Sequence, residues 1–152
     1  MSWKLYDYVD KDGVNQFREW CLRLQKPELA KVEQRLTMLE LHGPGLAPQM
    51  LAGPLRGWRH IYKLKFNGRT APRPMLCKGT VEPNSEFTLL LGAFEVGSEY
   101  VPPKAPEIAE GLRQQVAADP KRRRRPHEWI KRQPEGQSTA GQLGGPIKGF
   151  VQ

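Results

Sequence analysis

A chain of 152 residues with 38% hydrophobic content and a formal net charge of +8 fits one average-sized domain able to bury a proper core. It holds no signal-peptide pattern, no apolar run near the roughly 18 residues of a membrane span, and no Cys-x-x-Cys or Cys/His spacing around its two cysteines, Cys21 and Cys77. Those features exclude a membrane protein, a disulfide scaffold and a zinc-ribbon module, and point to a cytoplasmic protein with free thiols.

The aromatic-rich residues 2–9 predict an opening strand. Asp12 is the expected N-cap of a first helix whose apolar face is Val14, Phe17, Trp20, Cys21 and Leu24. Pro27 suits the first turn of a second helix, with Leu29, Val32, Leu36 and Leu39 at the helical period and Gly43-Pro44 as its stop. A link of about three residues makes the pair a helical hairpin. Residues 43–57 are Gly- and Pro-rich and read as loop. A basic strand over 59–67, a turn, a strand over roughly 74–81 and a turn at 82–84 follow. Residues 86–96, EFTLLLGAFEV, are almost wholly apolar and read as a central strand covered on both faces. After a loop over 97–105, Pro106 opens a last helix with Glu107 and Glu110 in its first turn and Ile108, Leu112 and Val116 inward, closed by Asp119-Pro120.

Charge is distributed unevenly along this order. Residues 1–118 carry 16 Lys/Arg against 13 Asp/Glu, whereas residues 119–152 carry 8 against 3. The extension starting at Asp119 is basic, then Gly- and Gln-rich, and is expected to be flexible unless a partner orders it. The second concentration is PLRGWRHIYKLKF (54–66). Alternation there directs Tyr62, Leu64 and Phe66 to a core and Lys63 and Lys65 to the opposite face. Arg56, Arg59 and His60 precede this row and Arg69 and Arg73 follow it, with no acidic residue between Leu41 and Val81. Cations without local partners suit a polyanion, and the run Lys121, Arg122, Arg123, Arg124, Arg125 suits the same class of partner. The competing structural reading makes Lys63, Lys65 and Arg73 the solvated face of an edge strand. His42 reads as a helix-end cation and the tryptophans as core or rim; three scattered histidines form no metal constellation.

The order of elements, with LTMLELHGPGL (36–46), PLRGWRHIYKLKF (54–66), APRPMLC (71–77) and LLLGAFEVGSEYVPPKAPEIA (89–109), resembles the RelE/HigB superfamily of bacterial toxins, in particular its phage-derived branch. The resemblance covers roughly residues 3–116. It implies an α+β domain, residues 1–118, in which an antiparallel meander sheet packs against the N-terminal helical hairpin, with a short C-terminal helix and the basic tail 119–152. It also implies ribosome-dependent, cofactor-free and metal-free cleavage of mRNA through 2′-hydroxyl attack, leaving a 2′,3′-cyclic phosphate. By position, in IYKLK, Lys65 matches the basic residue ending the family's YELR-like strand, and Lys63 stands where that strand has a glutamate. Arg73 matches the arginine that stabilises the transition state, and Arg56 a backbone-contacting cation. Lys63, Lys65 and Arg73 are thus the catalytic candidates. Arg56, Arg59, His60, Arg69 and Lys121–Arg125 are the RNA-contacting ones. An antitoxin is the protein partner such a toxin implies.

The chain departs from the family after Phe94, where Glu95, Val96 and Gly97 replace a lysine pair, and at Gly92-Ala93, which replaces His-Gly. Glu95 and Glu99 bring negative charge to the expected RNA approach, and Tyr100 is a substitute for a catalytic tyrosine. These departures open a second reading, a non-catalytic protein that grips nucleic acid, the ribosome or a protein partner through its basic strand and tail.

Overall fold

The structure, a computed structural model, describes residues 2–68 and 70–130. Among them nine strands and four α-helices run in the order β1 (Lys4–Tyr8), α1 (Gln16–Leu22), α2 (Lys26–His42), β2 (Leu51–Ala52), β3 (Tyr62–Leu64), β4 (Thr70–Pro72), β5 (Met75–Lys78), β6 (Glu86–Leu91), β7 (Phe94–Val96), β8 (Glu99–Val101), α3 (Ala105–Ala118), α4 (Pro120–Arg123) and β9 (Arg124–Pro126). The class is α+β. No helix among the described residues is long and apolar enough to cross a membrane.

The main sheet has the order β2-β3-β5-β6-β1-β9, and a small sheet has the order β4-β7-β8. An all-antiparallel sheet was the expectation, but β1 runs parallel to β6, with Lys4 opposite Glu86 and Asp7 opposite Leu89. The two helices and four intervening strands form the long crossover that parallel pairing requires.

Strand β6 is buried from Glu86 to Leu90, as its apolar run predicts. Phe87 and Leu89 join the core under α1 and α2, while Leu90 joins a second core under α3. The adjacent β5 alternates in the same way: Leu76 enters the first core, Met75 and Cys77 the second. The sheet is therefore a middle layer between the α1–α2 pair and α3. Leu29, Val32, Leu36 and Leu39 of α2 are all buried, and α2 ends on Gly43 at φ +56°, where a side chain would overlap the indole of Trp3.

Several sequence expectations are corrected. The cap of α1 is Asn15, whose side chain accepts from the Arg18 amide. Asp12 lies in the preceding turn, which Asp10 organises by accepting from the amides of Asp12 and Val14. The 43–57 loop contains the short strand β2, and the basic strand shrinks from 59–67 to Tyr62–Leu64. The strand expected over 86–96 breaks at Gly92-Ala93, where the ring of Trp20 packs on Gly92 and leaves no room for a Cβ. The 97–105 loop contains β8, which pairs with β7 as a hairpin. Ile108 faces solvent; the inward stripe of α3 is Ala105, Ala109, Leu112 and Val116.

The largest correction concerns the tail. Residues 120–126 form α4 and β9, and β9 adds to the free edge of β1 with Tyr6 opposite Pro126 and Tyr8 opposite Arg124. The amide of His127 continues this pairing, donating to Leu5 O at 2.9 Å. The segment expected to be flexible thus packs on the domain through Ile130: Arg124–Pro126 form the edge strand of the main sheet, and the Ile130 amide donates to Glu33 of α2. Residues 131–152 lie outside the described residues.

Candidate functional site

The chain passes between the two sheets at Arg73-Pro74, from β4 of the small sheet into β5 of the main one, and again at Gly92-Ala93, from β6 of the main sheet into β7 of the small one. Pro72 and Pro74 lack amide protons and interrupt the ladder on the first crossing. The Arg73 amide, left between them, donates to Ala93 O at 2.8 Å and ties the two crossings together. This junction aims the Arg73 side chain inward, 8% exposed as a residue.

Four polar side chains converge beside it. The β7–β8 hairpin sets Glu95 opposite Tyr100, so both present to one face. Arg73 Nε donates to Glu95 Oε1 at 2.8 Å, and Lys63 Nζ, from β3, donates to the same oxygen at 3.2 Å. Lys63 Nζ also donates to the Tyr100 hydroxyl at 2.7 Å. Arg73 Nη1 is fixed by the carbonyls of Phe66 and Pro72, both at 3.0 Å. The side chains of Arg73, Lys63 and Glu95 are 10%, 14% and 21% exposed: recessed, but reachable from solvent.

The electrostatics follow from this packing. Burial alone would push the Glu95 carboxyl up, but hydrogen bonds from Arg73 and Lys63 and the charges of both hold it below the ordinary carboxylate value. The carboxylate is therefore ionised at neutral pH, and the cluster carries one net positive charge. Chemically it offers a proton acceptor, two fixed cations and a phenol within one hydrogen-bonded set.

Of the sequence-predicted residues, Lys63 and Arg73 meet here, so the expectation that the strand cations lack partners is corrected: Glu95 supplies one from 22 residues beyond Arg73. Lys65 stays apart. It follows the last residue of β3, its carbonyl accepts from Arg35 Nη1, and among the described residues its ammonium has no ion pair. Arg56, Arg59 and His60 are exposed in the loop before β3, with Arg59 Nε 3.3 Å from His60 Nε2. Lys121, Arg122 and Arg125 are exposed. Arg123 is half-buried, and Arg124 is withdrawn onto Glu86 at 2.8 Å and over the Tyr6 ring at 3.8 Å. Arg69 lies outside the described residues.

Sequence reasoning treated Glu95 as a repulsive charge and Tyr100 as a substitute for a catalytic tyrosine, without bringing the two together. A signal was present: Gly97-Ser98 between FEV and EYV is a two-residue hairpin turn, which sets Glu95 opposite Tyr100. Sequence reasoning gave no role to His127, whose ring is buried against Asp7 at 2.7 Å. Asp7 in an aromatic strand and Glu33 beside the apolar stripe of α2 are the residues that mark a buried polar cluster in the sequence.

Compared with known protein families, curated proteins and solved structures, the chain finds no match.

Proposed function

We propose that this chain is a RelE/HigB-like domain that cleaves RNA by metal-independent transesterification at the Lys63–Arg73–Glu95–Tyr100 cluster. The observation that carries the reading is the meeting of a carboxylate, two cations and a phenol at one recessed point. Transfer of a phosphoryl group from the 5′ oxygen to the neighbouring 2′ oxygen requires the same three capacities: a base, charge stabilisation and an acid.

The roles follow from the atoms. Glu95 spends Oε1 on Arg73 and Lys63, and Oε2 takes the proton of the attacking 2′-hydroxyl. Arg73, held by two carbonyls, and Lys63 stabilise the charge that develops on the phosphoryl oxygens. Tyr100 keeps its O–H as a donor, because it accepts from Lys63, and delivers that proton to the leaving 5′ oxygen. The products are a 2′,3′-cyclic phosphate and a 5′-hydroxyl. Lys63 is a charge stabiliser here rather than a base, since its nearest charge is a carboxylate and not a second cation. Arg56, Arg59, His60, Lys121, Arg122 and Arg125 provide exposed backbone contacts for the RNA.

A second reading is favoured by the same carboxylate. Glu95 occupies the point where Lys63 and Arg73 converge, the position a bound phosphate would take, and so competes with it. On that reading the chain binds RNA, the ribosome or a protein partner without cutting. Glu95→Gln separates the two, assayed on ribosomes programmed with mRNA by detection of cyclic-phosphate ends and by RNA affinity. A nuclease loses cleavage on this change; a pure binder gains affinity and never yields ends.

A further inference from the structure

A buried histidine at the edge of the main sheet has no part in the site above. His127 follows β9, and its ring is 3% exposed, 6.3 Å from the ring of Phe17. Nδ1 lies 2.7 Å from Asp7 Oδ1 on β1, and Nε2 lies 3.8 Å from Glu33 Oε2 on α2. Asp7 is fully buried; its other oxygen accepts from Asn15 Nδ2 at 2.7 Å and from the Glu128 amide at 3.3 Å. Glu33 is 7% exposed and its Oε1 accepts from the Ile130 amide at 3.0 Å. The remaining two atoms, His127 Nε2 and Glu33 Oε2, face each other and have no hydrogen-bond partner among the described residues.

With both carboxylates ionised, only one state of the ring fits these neighbours. A neutral imidazole has a single N–H. Placed on Nδ1 it satisfies Asp7 but points the Nε2 lone pair at a buried carboxylate; placed on Nε2 it sets the Nδ1 lone pair against Asp7 at 2.7 Å. The imidazolium donates to Asp7 and turns its second N–H toward Glu33 Oε2 at 3.8 Å, and leaves one net negative charge in the cluster instead of two. The other charged or titratable groups around it do not take over this role. Arg18 of α1 pairs with Glu128 at 3.2 Å on the outside, and the thiol of Cys21 is held neutral by burial. Arg124 is engaged by Glu86 of β6.

We propose that the His127 imidazolium is a proton-dependent latch, holding residues 124–130 on the edge of β1 through Asp7 and on α2 through Glu33, and releasing them when its proton leaves. Release also frees Arg124 from Glu86 and Tyr6, so that the cations 121–125 become a loose basic strand beside an open sheet edge. Burial lowers the imidazole pKa, but the hydrogen bond to Asp7 and the charges of Asp7 and Glu33 prevail and raise it from 6.5 to about 9. A pKa raised by folding means a contribution complete below about 6.5 and lost as pH rises through about 9. Across that window the closed-to-open ratio falls on the order of 10²-fold.

The test is amide hydrogen exchange of the full chain by NMR, corrected for intrinsic rates, together with the titration of the His127 ring. Between pH 6 and 10 the latch predicts falling protection of Val9, His127 and Ile130, whose amides bond to Arg123 O, Leu5 O and Glu33 Oε1, while β6 stays protected. His127→Gln removes the pH dependence and exposes the segment throughout. Glu33→Gln lowers the apparent His127 pKa and shifts the release to lower pH, and carries the test alone should His127→Gln fail to fold. Titration of His127 near 6.5, flat protection of 124–130 over the window, or an unchanged pKa in Glu33→Gln overturns the proposal.

Discussion

Arg73 and Glu95 meet at 2.8 Å across the junction of two sheets, the arginine between two prolines and the glutamate on a hairpin strand. The same arginine bonds the carbonyls of Phe66 and Pro72, so one guanidinium both closes the fold at the junction and presents a cation to the site. Structure and proposed chemistry thus depend on the same side chain, and substitution at Arg73 should disturb both.

Arg73→Ala leaves two carbonyls without their donor and Glu95 with Lys63 alone. The expected loss is about 1–3 kcal/mol in urea denaturation, the cost of unpaired recessed polar groups. Arg73→Lys restores charge but not the fork that reaches Phe66, Pro72 and Glu95 together. It should recover part of the stability while RNA cleavage stays at least about 10-fold below the parent.

Gly92 and Gly111 should respond to alanine with opposite signs. A Cβ at Gly92 overlaps the Trp20 ring in the core, so Gly92→Ala is expected to cost about 1–3 kcal/mol. Gly111 lies within α3 with open space where a Cβ would sit, so Gly111→Ala should stabilise by about 0.5–1 kcal/mol. Thermal melts of the two variants beside the parent check both.

Stability toward acid should depend on Glu110. Its hydrogen bonds from Arg113 at 2.8 and 2.7 Å, with a further one from Gln114, bring its pKa from 4.5 down to about 2. A pKa lowered by folding gives a contribution present above pH 4.5 and lost as pH falls through about 2. Glu110→Gln should therefore flatten the stability profile over that window, measured as denaturation midpoint against pH, and leave the alkaline limb unchanged.

Both thiols should be inert in the folded chain. Cys21 and Cys77 are each 1% exposed, and burial pushes the Cys77 thiol up to about 12 and the Cys21 thiol higher than its ordinary value as well. A thiol reagent should titrate neither until denaturant is added; reaction of either under native conditions would contradict the packing of α1 and β5.

What was legible in the sequence was whatever one element decides alone. The stripe Leu29, Val32, Leu36 and Leu39, the stop at Gly43 and the first part, Glu86–Leu91, of the strand expected over 86–96 follow from local patterning, and each is observed. What was not legible depends on two distant segments meeting. Lys63 looked unpartnered because its carboxylate comes from β7, 32 residues on. The run at Lys121–Arg125 looked like a solvated tail because composition does not reveal that the edge of β1 is vacant and that Asp7 waits there for His127, 120 residues away. Alternation placed Leu64 and Phe66 in the core, yet could not foresee that Pro72 and Pro74 would split one sheet into two and create the junction.

The central claim, that Glu95 makes this cluster a nuclease rather than a closed ion pair, is tested most directly by brief induction of the parent and of Glu95→Gln in a bacterial host, mapping mRNA 5′ ends within minutes. The account predicts new ends inside translated codons for the parent and their loss in Glu95→Gln at equal protein level. Unchanged mRNA on induction of the parent, or the same ends from Glu95→Gln, would contradict it.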